Sequence, residues 1–180
     1  TAVAALCKWH KVTDEGVDVR VRELLDRILE NQSDEGWFME YEGADPGYQS
    51  LCTYYLADVH RMRPDFELAE PLRNSLCFLW HFAHPDGSYG GFYGSRNTRF
   101  YFPAGIECLA GEIPEAAALA THMRRSIEDE CVVTLSAMDE PNLIPMFNSY
   151  CLAVARQAEH PNPPPLPCRE TAPLRRHWQQ

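Results

Sequence analysis

Two short glycine-aromatic segments, 51 residues apart, constrain this chain more than any other feature. The first is Asp-Glu-Gly-Trp-Phe at residues 34–38, and the second is Pro-Asp-Gly-Ser-Tyr-Gly-Gly at residues 85–91. Each follows a helical pattern and leads through a polar, aromatic-rich loop into another, and glycine permits the reversal that such a turn needs. A unit that recurs after about 50 residues predicts a repeat architecture, in which helical hairpins stack to bury their apolar faces.

Apolar residues recur at helical spacing throughout the body of the chain, which predicts an all-α fold. Pro46, Pro103, Pro114 and Pro141 each suit the first turn of a helix, where the missing N–H costs nothing. The helix that begins at Pro114 is expected to be long, with Cys131 and Leu135 on its buried face. The predicted helices cover approximately residues 1–11, 17–32, 46–60, 66–82, 103–110, 114–137 and 141–154.

The two ends of the chain differ from its body. Residues 159–180 are rich in proline, which cannot continue a helix, so we expect a tail that wraps the body or stays mobile after one helical domain over residues 1–158. The chain begins without methionine inside an apolar helical pattern. This beginning suggests a piece of a longer protein, whose fold a further protein segment completes.

Composition excludes several classes of function. The formal net charge of -10, with scattered acidic residues, argues against a nucleic-acid partner. No stretch has the roughly 20 apolar residues of a membrane span. The seven cysteines follow no zinc or disulfide spacing and lie among apolar neighbours, which favours small core side chains and the reducing cytoplasm. We therefore predict no metal and no cofactor.

The turn segments carry a resemblance to a known superfamily. Gln32-Ser-Asp-Glu-Gly36-Trp37 resembles the Gln-Gly-Trp repeat of squalene and other terpene cyclases, and Pro85-Asp86-Gly87-Ser-Tyr-Gly-Gly91 resembles turns of those cyclases and of protein prenyltransferase β-subunits. The resemblance covers roughly residues 17–112. It implies an α/α toroid, here a partial or half toroid, that acts on a small ligand in a central cavity.

The chain lacks the sequence motifs that carry the known reactions of that superfamily. The chain has neither the Asp-x-Asp-Asp run with which class II terpene cyclases protonate their substrates nor the Asp-x-Cys zinc ligands of prenyltransferases. A weaker similarity links its polar loops to toroidal domains of polysaccharide lyases, which implies an acidic glycan as the alternative ligand. A helical repeat scaffold without catalytic activity is the third hypothesis.

The loop after the first turn holds three carboxylates and several aromatic rings within thirteen residues. Glu40 and Asp45 are candidate acid and base groups, because paired carboxylates divide these roles when their surroundings differ. Aromatic side chains stack on sugar rings, so Trp37, Tyr41 and Tyr48 of this loop are candidate substrate contacts. In the alternative interpretation Trp37 and Tyr48 fill the core, and the acids cap the helix that begins at Pro46.

The loop after the second turn offers a different set of groups. Arg96 presents a planar fork for a carboxylate or phosphate, and Asn97 and Tyr93 supply hydrogen-bonding groups beside it. His84 is a candidate general base. Tyr89 and Arg99 complete the predicted substrate contacts. The alternatives pair Arg96 or Arg99 with Glu40, Asp45 or Glu107, and assign His84 to a helix C-terminus.

Overall fold

The computed structural model describes residues 1–40, 43–91 and 99–169. These residues form seven α-helices and contain no β-strand, so the prediction of an all-α fold is confirmed for them. Short 3₁₀ turns occupy Pro64–Phe66, Leu135–Ala137 and Pro167–Arg169. The helices are α1 (Ala2–Thr13), α2 (Asp18–Glu30), α3 (Pro46–Met62), α4 (Ala69–Trp80), α5 (Pro103–Leu109), α6 (Pro114–Glu128) and α7 (Glu140–Arg156).

The helices pack as two layers. In the first layer, α1 contacts α3, α3 contacts α5, and α5 contacts α7. The second layer consists of α2, α4 and α6, which pack on α1, α3 and α5 respectively. Phe102 N donates to Ser50 Oγ (3.0 Å), and Gly105 lies against Tyr54 one turn further on, so α3 and α5 run parallel. The contacts of α1 with α3 and of α5 with α7 follow the same order.

The core lies between the two layers. Its fully buried leucines include Leu25 of α2 and Leu72, Leu76 and Leu79 of α4, which belong to one large cluster of buried apolar side chains. A second, smaller cluster packs Phe100 and Phe102, which precede α5, against Met146 of α7 and its partly buried neighbours. Burial of these side chains supplies most of the free energy of folding.

The two glycine-aromatic turns have the same hydrogen bonds at an offset of 51 residues. Gly36 and Gly87 both have positive φ, at 93° and 86°. In both turns the backbone pairs as a short antiparallel bridge, Gln32 with Phe38 and Ala83 with Tyr89. The matched donor and acceptor pairs are Ser33 N to Trp37 O and His84 N to Ser88 O, Gly36 N to Ser33 O and Gly87 N to His84 O, and Met39 N to Asn31 O and Gly90 N to Phe82 O.

The prediction of a long helix from Pro114 to Ala137 is wrong at its C-terminal end. Helix α6 ends at Glu128, because Glu130 adopts a left-handed conformation with φ of 54°. Cys131 N then donates to Ser126 O, and Glu130 N donates to Ile127 O, which together form a Schellman cap. Neither Cys131 nor Leu135 extends the helix. The β-branched residues 132–134 favour this early end.

Helix α4 is also shorter than predicted. The interval 66–82 contains a 3₁₀ turn that ends at Phe66, followed by Glu67 with φ of 52°, and the α-helix begins only at Ala69.

In the proline-rich tail, Leu166 is buried within the main core cluster, so the chain wraps the body at least that far. Residues 170–180 lie outside the described part.

Cys7, Cys52, Cys77, Cys108 and Cys131 are free thiols that are buried or half-buried, whereas the free thiol of Cys151 is exposed on α7. None of the helices described by the structure is long and apolar enough to cross a membrane.

Close packing of α3 against α5 depends on Gly105. A Cβ at this position would lie 2.7 Å from the backbone N and Cα of Tyr54, and backbone atoms cannot move aside. Gly105→Ala is therefore expected to destabilise the fold by about 2 kcal/mol, because overpacking outweighs the better helix propensity of alanine. Urea denaturation measures the loss. Gly43→Ala, where nothing lies within 4 Å of the added Cβ, is the control and should leave the midpoint almost unchanged.

Candidate functional site

The first glycine turn is fixed to α4 by side-chain hydrogen bonds. Gln32 Nε2 donates to Gly36 O and to Pro71 O, both at 2.9 Å. The α-carbon of Gly36 sits so close to α4 that an added Cβ would lie 2.2 Å from Asn74 O. The turn therefore has one position relative to α4, and it directs the following residues, 38–40, toward the start of α3.

A buried polar network holds the other side of this turn. Gln49 Oε1 accepts from Phe38 N (2.9 Å), while Gln49 Nε2 donates to Gly36 O (3.2 Å) and to Ser75 Oγ (2.6 Å). The Thr53 hydroxyl lies 2.7 Å from the same serine oxygen. Buried polar groups require such partners, so Gln49 links the turn to α3 and α4.

A cleft of about 570 Å³ opens beside this network, between α1, α2 and α3. Its apolar floor includes Leu24, Ile28 and Phe38, and its polar groups include Arg27 and Glu40. The volume is within the range of about 300–1,000 Å³ usual for small-molecule sites. The described residues that line it are Thr1, Ala2, Val3, Leu24, Arg27, Ile28, Asn31, Phe38, Met39, Glu40, Tyr48, Gln49 and Cys52.

Two groups of the cleft, the Glu40 carboxyl and the Cys52 thiol, have raised pKa values, which favour their neutral forms. Burial and, second, the nearby Asp45 raise the pKa of Glu40. Burial raises the pKa of the Cys52 thiol to about 11, so this cysteine stays protonated at neutral pH. A carboxyl with a raised pKa keeps its proton to higher pH, which is the property of a hydrogen-bond donor or general acid.

Among the predicted site residues, Glu40 and Tyr48 share this cleft. Asp45 is buried and caps α3, because its Oδ1 accepts from Tyr48 N at 3.1 Å, as the alternative interpretation proposed. Trp37 is half-buried, and its Nε1 donates to Glu35 Oε2 (3.1 Å). The Tyr48 ring meets Phe100 edge-on at 6.4 Å between centroids.

Tyr89 lies in the core. Its side chain is completely buried, its hydroxyl donates to Pro46 O (3.2 Å), and its ring packs 5.0 Å from that of Tyr101. Tyr89 has no exposed surface with which to make the substrate contact that was predicted for it. The residue instead joins the second glycine turn to the start of α3.

His84 belongs to the second turn, which packs on α6. Its Nδ1 hydrogen-bonds Ser88 Oγ (2.8 Å), and its carbonyl oxygen lies 3.0 Å from His122 Nε2 of α6. Ser88 also donates to Asp86 Oδ1 (2.7 Å), and hydrogen bonds from Ser88 lower the pKa of that carboxyl. His84 does not line the cleft that contains Glu40 and Tyr48.

The remaining predicted residues are divided between described and undescribed parts of the chain. Arg96, Tyr93, Asn97 and Tyr41 lie outside the described residues. Arg99 is exposed. Glu107, one of its possible partners, accepts two hydrogen bonds from Arg124, at 2.8 and 2.6 Å.

Sequence reasoning missed the contribution of α2 to the cleft. Leu24, Arg27, Ile28 and Asn31 line the cleft and follow the spacing of one helical stripe. That spacing is the signal that could have grouped them. Within the described ranges, no cluster of three or more His, Cys, Asp or Glu side chains is arranged to hold a metal ion.

No family model, curated protein or solved structure matches the chain.

Proposed function

We propose that this chain is a partial α/α toroid built from helical-hairpin repeats, similar in architecture to terpene cyclases and prenyltransferases. Two features support the proposal. The first-layer helices run parallel and the second-layer helices return between them, which is the arrangement of stacked α-hairpins. In addition, each glycine turn packs on the following second-layer helix, the first on α4 and the second on α6.

Its function in this proposal is to bind a small ligand that has an apolar body and one polar head. The cleft between α1, α2 and α3 carries this proposal, because its floor is apolar and its polar groups include Arg27, Asn31 and Glu40. An isoprenoid alcohol or a similar lipid fits such a lining better than a glycan does, since the hydroxyls of a sugar need hydrogen-bond partners across the whole site. Glu40, with its raised pKa, is the candidate proton donor to the polar head.

A titration with farnesol tests this function. Amide signals of residues around Leu24, Ile28 and Cys52 are expected to shift in NMR spectra of the labelled protein. Ile28→Lys puts a charge on the apolar floor and should raise Kd by about tenfold, equivalent to about 1.4 kcal/mol. Val19→Lys, on the exposed face of the same helix, is the control and should bind farnesol as the wild type does.

Two other results would each contradict the isoprenoid proposal. Shifts at the same residues with an oligogalacturonate but not with farnesol would assign the cleft to an acidic glycan. If neither compound shifts the amide signals of the cleft, the remaining hypothesis is a helical scaffold without catalytic activity. That function is favoured by the packed cluster of Phe100, Phe102 and Met146, which fills the space between the start of α5 and α7.

A further inference from the structure

An apolar stripe covers the outer face of α7. Ile144, Phe147, Cys151 and Val154 follow helical spacing and are exposed, with accessible fractions of 63% for Ile144, 51% for Phe147 and 80% for Val154. Residues 141–155 contain no charged side chain, although the chain as a whole is strongly acidic. We call these four residues the α7 stripe. A contiguous exposed apolar face of this kind is typical of an interaction surface.

The opposite edge of the same layer carries a second stripe. Ala2, Ala5, Trp9 and Val12 of α1 have the same spacing and are exposed. We call them the α1 stripe. Helices α1 and α7 are the two ends of the layer α1, α3, α5 and α7, in which every described neighbour contact joins parallel helices. Within the described residues, no further parallel helix packs on the outer side of α1 or of α7.

We propose that the α7 stripe of one copy packs in parallel against the α1 stripe of a second copy, so that the layer continues from chain to chain. Side-chain sizes support this register. With Ile144 level with Ala2, Phe147 is level with Ala5 and Cys151 with Trp9, so that a bulky residue meets a small one in three of the four pairs. The fourth pair joins two valines, Val154 and Val12. Small residues opposite large ones allow helices to interlock closely.

Charge favours this arrangement over a symmetric pairing of α7 with α7. In the α7–α1 register, the exposed Lys11 of α1 is level with Ala153, in the uncharged part of α7, while Lys8 and Arg156 stay bonded to Asp58 of their own copies. An antiparallel α7–α7 pair centred on the stripe would instead bring Asp139, which precedes α7, toward Glu159, which follows the end of α7 in the other copy. Like charges at that distance oppose association.

The contact is heterologous, because different surfaces of the two copies meet. Two copies related by a two-fold axis can form this contact twice, which doubles the area buried between them. Stable interfaces bury roughly 800 Å² per partner. The inference rests on the two-layer packing and does not depend on the ligand cleft.

Complementation between two edge variants tests the inference. Phe147→Asp blocks the α7 stripe, and Trp9→Asp blocks the α1 stripe. In sedimentation velocity at micromolar concentrations, the wild type is expected to assemble and each variant alone to be monomeric. An equimolar mixture of the variants should form a 1:1 complex that is weaker than the wild-type assembly, because only one of the two α7–α1 contacts remains intact.

Three results would overturn the inference: a monomeric wild type, Trp9→Asp that still assembles by itself, or a mixture that associates no more strongly than either variant alone at the highest concentration measured. Val19→Asp, at an exposed position of α2 outside both stripes, is the control and should assemble like the wild type. Circular dichroism of each variant verifies that the helices persist. Cross-linking adds a second readout, because a short bis-maleimide should lose access to Cys151 when the wild type assembles.

Discussion

Gly36→Ala is expected to destabilise the fold by about 3 kcal/mol and to lower the thermal midpoint by roughly 10 °C. Two costs add at this position. The backbone has φ of 93°, which a residue with a Cβ adopts only with strain, and the added Cβ would lie 2.2 Å from Asn74 O of α4. Because that oxygen belongs to a helix backbone, the whole turn must move away from α4 and break the hydrogen bonds of Gln32.

Two other glycines provide graded controls for this experiment. Gly87→Ala has a similar backbone cost, with φ of 86°, but its Cβ would meet the Cys131 side chain at 3.1 Å, which can shift. Gly16→Ala has nothing within 4 Å. Differential scanning calorimetry should give the order Gly36, Gly87, Gly16 from largest to smallest loss. Equal midpoints for the Gly36 and Gly16 variants would show that the turn does not depend on its contact with α4.

The features of the fold that depend on local chemistry could be predicted from the sequence. Proline at the start of a helix and glycine at a reversal act within one turn of the chain, so Pro46, Pro103 and Pro114 correctly located the starts of α3, α5 and α6. The end of α6 was missed, because Glu130 adopts a left-handed conformation that is uncommon for a glutamate. The apolar pattern continued past this residue and gave no sign of the cap.

The candidate site could be predicted only in part. The loop after the first turn contains both Glu40 and Tyr48, and both line the cleft. Arg27 reaches the same cleft from α2, and Gln49 turns inward to bond with Ser75 of α4. Such contacts between helices depend on how the layers pack, which the polarity of single residues does not reveal.

One buried ion-pair group joins three helices of the first layer. Asp58 of α3 is almost completely buried, and its two carboxylate oxygens meet Lys8 Nζ of α1 at 2.6 Å and Arg156 Nη2 of α7 at 2.8 Å. Burial alone would raise the pKa of this carboxyl. Lys8 and Arg156 outweigh burial, so the net effect is a lowered pKa.

Asp58→Asn is expected to destabilise the fold by about 3 kcal/mol, the lower end of the range for breaking a buried ion pair, because Lys8 is half-exposed. Loss of the carboxylate leaves Arg156 with an uncompensated charge in a mostly buried position. Urea denaturation at neutral pH measures the loss. Glu23→Gln, which breaks the exposed pair with Arg20, is the control and should have little effect, since exposed pairs contribute about 0–1 kcal/mol.

The pH dependence of the same variant separates this electrostatic effect from a packing defect. A carboxyl whose folded pKa lies below its unfolded pKa stabilises the fold above the unfolded value, about 3.9, and loses that contribution as pH falls through the folded value. The stability difference between wild type and Asp58→Asn should therefore be constant from neutral pH to about pH 5 and shrink below about pH 4. A stability difference that persists at low pH would mean that the asparagine disturbs packing, because the protonated Asp58 of the wild type is then uncharged as well.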